Sequence, residues 1–140
     1  MNYCTTNDLI DRFGESELIA LSDRDNTGSV DAQVVSAAIA DASALIDGYL
    51  GGRYALPLSV IPSVLPKLCG DIARFNLYDN AVPDVVQKRY DAAINFLRSV
   101  GKGEVRLGLS GTEEVATSDE AIEMQSGGSV WNRNDSKGFI

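Results

Sequence analysis

Apolar side chains recur along this chain at helical spacing, and the recurrence breaks at glycine and proline. Leu9, Ile10 and Phe13 share one face of a segment from 6 to 13, with Thr6 or Asn7 placed to cap it and Gly14 to stop it. A second short helix is expected from about Ser16 to Leu21, followed by a polar loop over 22–30. The strongest pattern runs from Asp31 to about Leu50. Val35, Ala38, Ala42, Leu45 and Tyr49 alternate spacings of three and four, and Val34, Ile39 and Ile46 widen the stripe. Asp31 at its start offsets the helix dipole, and Ala37, Ala38, Ala40, Ala42 and Ala44 favour helix and let a neighbour approach closely. Gly51 and Gly52 end it.

Residues 53–62 cannot continue a helix. Pro57 and Pro62 push Leu56 and Ile61 into extended backbone, and Tyr54, Leu56, Leu58, Val60 and Ile61 are expected to pin this turn to the core. Ser63 reads as the cap of the next helix, with Pro66 in its first turn, where a missing amide proton costs little. Leu65, Leu68, Cys69, Ile72, Ala73 and Phe75 form its apolar face. Pro83 opens a last long helix to about Val100, with Val86, Tyr90, Ala93, Ile94 and Leu97 on one side and Gly101 closing it. Val105 to Leu109 alternates and reads as a short strand. The predicted fold is mainly α: a small bundle of four to five helices with a short strand and an extended C-terminal tail.

From Ser110 the pattern stops. Residues 110–140 carry six acids and two bases among many Gly, Ser and Asn, against fourteen acids and ten bases before them. Such a composition reads as a flexible extension, mobile in a free subunit. We therefore expect a helical domain over 1–109 and an acidic tail over 110–140. A neighbouring chain would hold the tail through Met124, Val130, Trp131, Phe139 and Ile140; the alternative is docking back on its own domain.

The chain is long enough for one core without staples: a domain of its 140 residues buries about two thirds of its unfolded surface. No apolar run approaches the roughly 20 residues that span a bilayer, and the start of the chain does not read as a signal peptide. A cytoplasmic site of synthesis follows as an expectation. Cys4 and Cys69 are then expected to be free thiols acting as small hydrophobes.

The absence of histidine removes the Ser–His and Cys–His nucleophile arrangements and the commonest metal ligand. A net charge of −8, with basic residues scattered, disfavours tight nucleic-acid binding and leaves open contact with DNA through a non-adhesive surface. Asp23, Asp25, Gly28 and Asp31 match an EF-hand loop at its positions 1, 3, 6 and 9, with Val30 at position 8. Position 12 requires a bidentate Glu and holds Val34, so a polar turn with Gly28 at positive φ is the preferred reading of residues 23–31 over a calcium-responsive binding module. Gly101-Lys102-Gly103 fails as a phosphate loop, since Phe96 stands where a glycine is needed. No catalytic residues, cofactor or metal are expected. Asp47, Tyr49, Arg53, Tyr54, Pro57, Asp71, Arg74 and Tyr78 instead read as one rigid corner between two helices, with ion pairs among the charged members and Asp71–Arg74 pairing three residues apart.

Four strings in this order, TTNDLIDRFGESELIALSDRD, AxxDASALIDGYLGGRYALPL, LPKLCGDIARFNLYD and KRYDAAINFLRSVGKGEVRLG, resemble the head completion, or head–tail adaptor, proteins of Mu-like phages and prophages. The resemblance covers about residues 3–109. It implies a non-enzymatic virion protein, assembled in the host cytoplasm into a ring of about a dozen copies. The implied partners are the portal protein on one face and a stopper or tail-completion protein on the other, with DNA passing through the middle and no membrane involved.

Overall fold

The computed structural model describes residues 2–107, whose five helices are α1 (Thr6–Phe13), α2 (Glu15–Ser22), α3 (Ala32–Leu50), α4 (Val64–Leu77) and α5 (Asp84–Gly101). The bundle expected from the periodicity is the observed architecture. α1 is capped one residue earlier than expected, by Thr5 rather than Thr6 or Asn7. The Thr5 hydroxyl accepts the Asp8 N–H at 3.1 Å and the Asp8 carboxylate accepts the Thr5 N–H at 2.9 Å. This reciprocal box needs Ser or Thr followed three residues later by an acceptor, and only Thr5 has one. Gly14, at φ 94°, ends α1 and begins α2 with no residue between. An L side chain would be strained there, so glycine fixes this bend.

Ser22 is fully buried, and its hydroxyl donates to the Leu18 carbonyl at 2.7 Å and accepts the Asp31 N–H at 3.0 Å. One side chain thus ties the end of α2 to the start of α3. Asp31 caps α3 by accepting from Gln33 N–H at 3.0 Å and Val34 N–H at 3.4 Å. The buried face of α3 is Val35, Ala38, Ile39, Ala42, Ser43, Ile46 and Leu50, with Leu45 and Tyr49 at its half-buried edge.

Ser63 precedes α4 as expected, but its backbone is helical and its side chain makes no capping bond. The first turn needs little capping: the Pro62 carbonyl takes the Leu65 N–H at 3.0 Å, and Pro66 has no N–H to satisfy. α4 lies at the centre, packed against α3, α5 and α1. Phe75 and Tyr90 stack across the α4–α5 seam at 3.8 Å between ring centres and 16° between planes.

Two expectations about connecting segments change. Of the apolar side chains in 53–62, Tyr54 and Leu58 are buried, whereas Leu56, Val60 and Ile61 are exposed by 37%, 61% and 38%. The segment bends repeatedly instead of running extended, so only some of its apolar side chains are turned toward the core. No strand occurs among the described residues. Residues 105–107 follow α5 irregularly, because a lone strand beside helices finds no edge to pair with. Leu107 is nonetheless buried, and its N–H donates to the Tyr54 hydroxyl at 3.2 Å. The tail anchors Met124, Val130, Trp131, Phe139 and Ile140 lie outside the described residues.

Candidate functional site

The eight residues read as one corner do not form one: most are divided among separate junctions. Asp47, in the last turns of α3, accepts a hydrogen bond from the Tyr3 hydroxyl. Tyr3 N–H donates to Ser43 Oγ at 3.1 Å, and the next residue puts Cys4 Sγ 2.9 Å from Cys69 Sγ on α4. The segment before α1 is therefore a clasp across α3 and α4. Sequence reasoning missed Tyr3, which lies outside every periodic run. Burial, then the Asp47 carboxylate, push its phenol well above the usual range.

That shift has a testable sign. The unfolded phenol ionises near 10.0 and the folded one higher, so the contribution of Tyr3 to stability is complete below pH 10.0 and is lost as pH rises through the folded value. Tyr3→Phe should cost on the order of 1 kcal/mol at neutral pH through the lost bond. The gap between wild type and variant should then narrow above about pH 10, measured by urea unfolding at stepped pH. A gap that stays constant to pH 11 would show that the phenol is not protected.

The second junction is ionic. Arg74 on α4 forks onto Glu17 of α2, Nε to Oε2 at 2.7 Å and Nη2 to Oε1 at 3.0 Å, and its guanidinium lies 4.4 Å from the centre of the Phe13 ring. Tyr78 donates to the same Glu17 carboxylate at 3.2 Å. The bond to Glu17 raises the Arg74 pKa; burial, then Glu17, raise that of Tyr78. The expected Asp71–Arg74 pair gives way to this arrangement, because a bidentate fork to Glu17 matches the planar guanidinium better than a partner on the same helix. Asp71, itself buried, takes Lys67 one turn earlier at 3.1 Å.

The third junction joins the α3–α4 loop to the end of α5. Arg53 Nη2 donates to the Lys102 carbonyl at 2.9 Å. Its guanidinium fills the space over Gly103, where an added Cβ would lie 1.7 Å from Nη2. Gly103, at φ 83°, is the left-handed residue after α5, a place expected for Gly101. With the bond from Leu107 to Tyr54, this brings the loop and the departing chain side by side. Pro57 and the exposed Leu56, Val60 and Ile61 lie farther along the same loop. Tyr49 belongs to none of these junctions: it lines an open groove of about 510 Å³ between α3 and α5, with Tyr90, Asp91 and Arg98.

The turn at 23–31 is closed by its own side chains. Asp23 Oδ1 accepts the Thr27 N–H at 2.8 Å and the Thr27 hydroxyl at 3.0 Å, and Oδ2 accepts the Gly28 N–H at 2.7 Å. Asn26 and Gly28 take φ of 58° and 83°. The backbone N–H groups of Thr27 and Gly28 hold the Asp23 carboxyl below its usual range. This is the polar turn read from the sequence, and its carboxylate faces its own backbone. Among the described residues no group of three or more Asp, Glu, Cys or His could hold a metal ion, and no helix is long and apolar enough to cross a membrane.

The site with most unspent apolar surface is thus the α3–α4 loop beside the exit from α5. The sequence profile of the family described as Bacteriophage Mu, Gp36 matches residues 3–126. The match continues past residue 109, where the resemblance legible in the sequence ends, into the acidic tail. The chain is 42% identical over 138 residues to the Mu-like prophage FluMu protein gp36 of Haemophilus influenzae, covering 99% of this chain and 98% of that one. It is also 37% identical over 143 residues to Gene product J of Escherichia phage Mu, with both chains covered completely. With a profile match over most of its length and relatives aligned end to end, the chain belongs to the Bacteriophage Mu Gp36 family of Mu-like phage proteins.

Proposed function

We propose that this protein is a structural component of the phage particle, a head–tail adaptor that forms a ring beneath the portal and lets DNA pass through its centre. The observation that carries the reading is the end-to-end alignment with two Mu-type phage proteins, one of them from phage Mu itself. Surface chemistry supports it. Leu56, Val60 and Ile61 stand exposed on a loop whose base is braced by Arg53 and Tyr54. Apolar side chains on a braced loop are ready to bury against a partner at small entropic cost. In this reading residues 110–140 reach a neighbouring subunit, with Met124, Val130, Trp131, Phe139 and Ile140 as anchors. The net charge of −8 keeps the channel wall from binding the DNA that moves past it.

The test is co-production with the portal protein of the same phage, followed by native mass measurement. The expected product is a portal complex carrying about a dozen copies of this chain. Val60→Ser with Ile61→Ser should keep the far-ultraviolet circular dichroism and melting temperature of the wild type yet lose the complex. A chain that stays monomeric and never joins the portal, under conditions where the portal itself assembles, would overturn the reading.

A further inference from the structure

Cys4 and Cys69 form a reactive pair that the adaptor reading does not use. Both are buried free thiols, and their sulfurs lie 2.9 Å apart, within about an ångström of the bonded separation of about 2.05 Å. They differ in surroundings. The Cys69 sulfur faces the Cys4 thiol, the Ser43 hydroxyl at 3.5 Å and the backbone N–H groups of Tyr3 and Cys4. These donors favour a thiolate on Cys69, led by the bond from Cys4, while the same bond and burial push the Cys4 thiol up. The pair is therefore asymmetric, with a nucleophile on a central helix and a second thiol that keeps its proton. Cys4 also lies in the non-helical residues before α1. A short segment outside the helices opens locally at far less cost than the fold as a whole, which gives a small oxidant a route to the buried sulfur.

We propose that Cys4 and Cys69 are a covalent modification site: a dithiol that a peroxide converts into an intramolecular disulfide, stapling the segment before α1 to α4. The Cys69 thiolate attacks one peroxide oxygen, the O–O bond breaks, and hydroxide leaves, giving a sulfenic acid on Cys69. The Cys4 sulfur then attacks the sulfenic sulfur, the S–O bond breaks, and the departing hydroxide takes the Cys4 proton as water. The two sulfurs supply two electrons, and the peroxide ends as water. In a reducing cytoplasm the pair stays as thiols; in an oxidising exterior it closes. This holds whether or not the protein forms a ring.

The experiment treats the purified full-length chain with hydrogen peroxide under native conditions, removes the oxidant, alkylates free thiols and maps the digest by mass. The expected result is one crosslinked peptide carrying Cys4 and Cys69, lighter by two hydrogens than its separate parts, with no disulfide between chains. Its melting temperature should rise by roughly 5–15 °C and fall back on reduction with dithiothreitol. Cys4→Ser should leave the Cys69 sulfenic acid open to dimedone. If that variant does not fold, the wild-type map decides alone. Cys69 recovered as sulfinic acid beside alkylated Cys4, chains joined to one another through these cysteines, or a crosslink with no change in melting would each overturn the proposal. So would both thiols surviving a peroxide exposure that consumes them in urea.

Discussion

Ile72→Ala should lower the unfolding free energy by about 2–5 kcal/mol, a large share of the roughly 5–15 kcal/mol that holds a domain folded. Ile72 is fully buried on α4, the helix that touches α1, α3 and α5. Removing its outer carbons loses their transfer energy and leaves a void shared by several helices. Phe75–Tyr90 stacking ties α5 to α4 and the Glu17–Arg74 fork ties α2 to it, which limits sliding of the bundle into the space. The cost should lie toward the upper half of the range for that reason. Urea unfolding followed by circular dichroism gives the value directly. A loss below about 1 kcal/mol would mean that the bundle relaxes around the site and that α4 is not its rigid centre.

Arg74→Ala should cost about 2–3 kcal/mol, unusually much for a charged side chain. Arg74 and Glu17 keep only 13% and 24% of their side-chain exposure, so the remaining carboxylate cannot recover full hydration. Phe13 loses the cation over its ring, and Tyr78 faces an uncompensated charge. Glu17→Gln with Arg74 intact should cost less, since the amide oxygen still accepts one bond. The double change should be milder than the sum of the two single ones, with a coupling of about 1–2 kcal/mol. Additive losses in that cycle, read from the same urea curves, would show that the two side chains act independently.

Position in the chain decided what the sequence could reveal. The helices were legible because each buries a long stripe, and such a stripe repeats: Val35, Ala38, Ala42 and Ile46 announce α3 without help. The polar turn at 23–31 was legible because Asp23 and Gly28 carry their conformational preferences with them. Pairings between distant elements were not. Glu17 and Arg74 are 57 positions apart, and Tyr3 and Asp47 are 44 apart. No periodicity records such a meeting, so a nearer partner, Asp71, was the natural candidate for Arg74. The strand expected at 105–109 is absent from its described part, 105–107, for the opposite reason: its alternation was real, but a strand needs a neighbour that no local pattern supplies. The fate of Leu56, Val60 and Ile61 was likewise undecidable from hydrophobicity alone. A leucine bound for the core and one left at the surface read alike until the core is seen to be full without them.

The brace at the base of the α3–α4 loop has a mechanical consequence. Tyr54 grips the Leu107 amide and Arg53 grips the Lys102 carbonyl, both beyond the last full turns of α5. Tension arriving from the C-terminal side is handed to the middle of the polypeptide before it can peel that helix. The strap carrying the exposed leucine, valine and isoleucine would feel the tug first, so traction at one terminus is converted into a displacement of a loop in the middle of the chain.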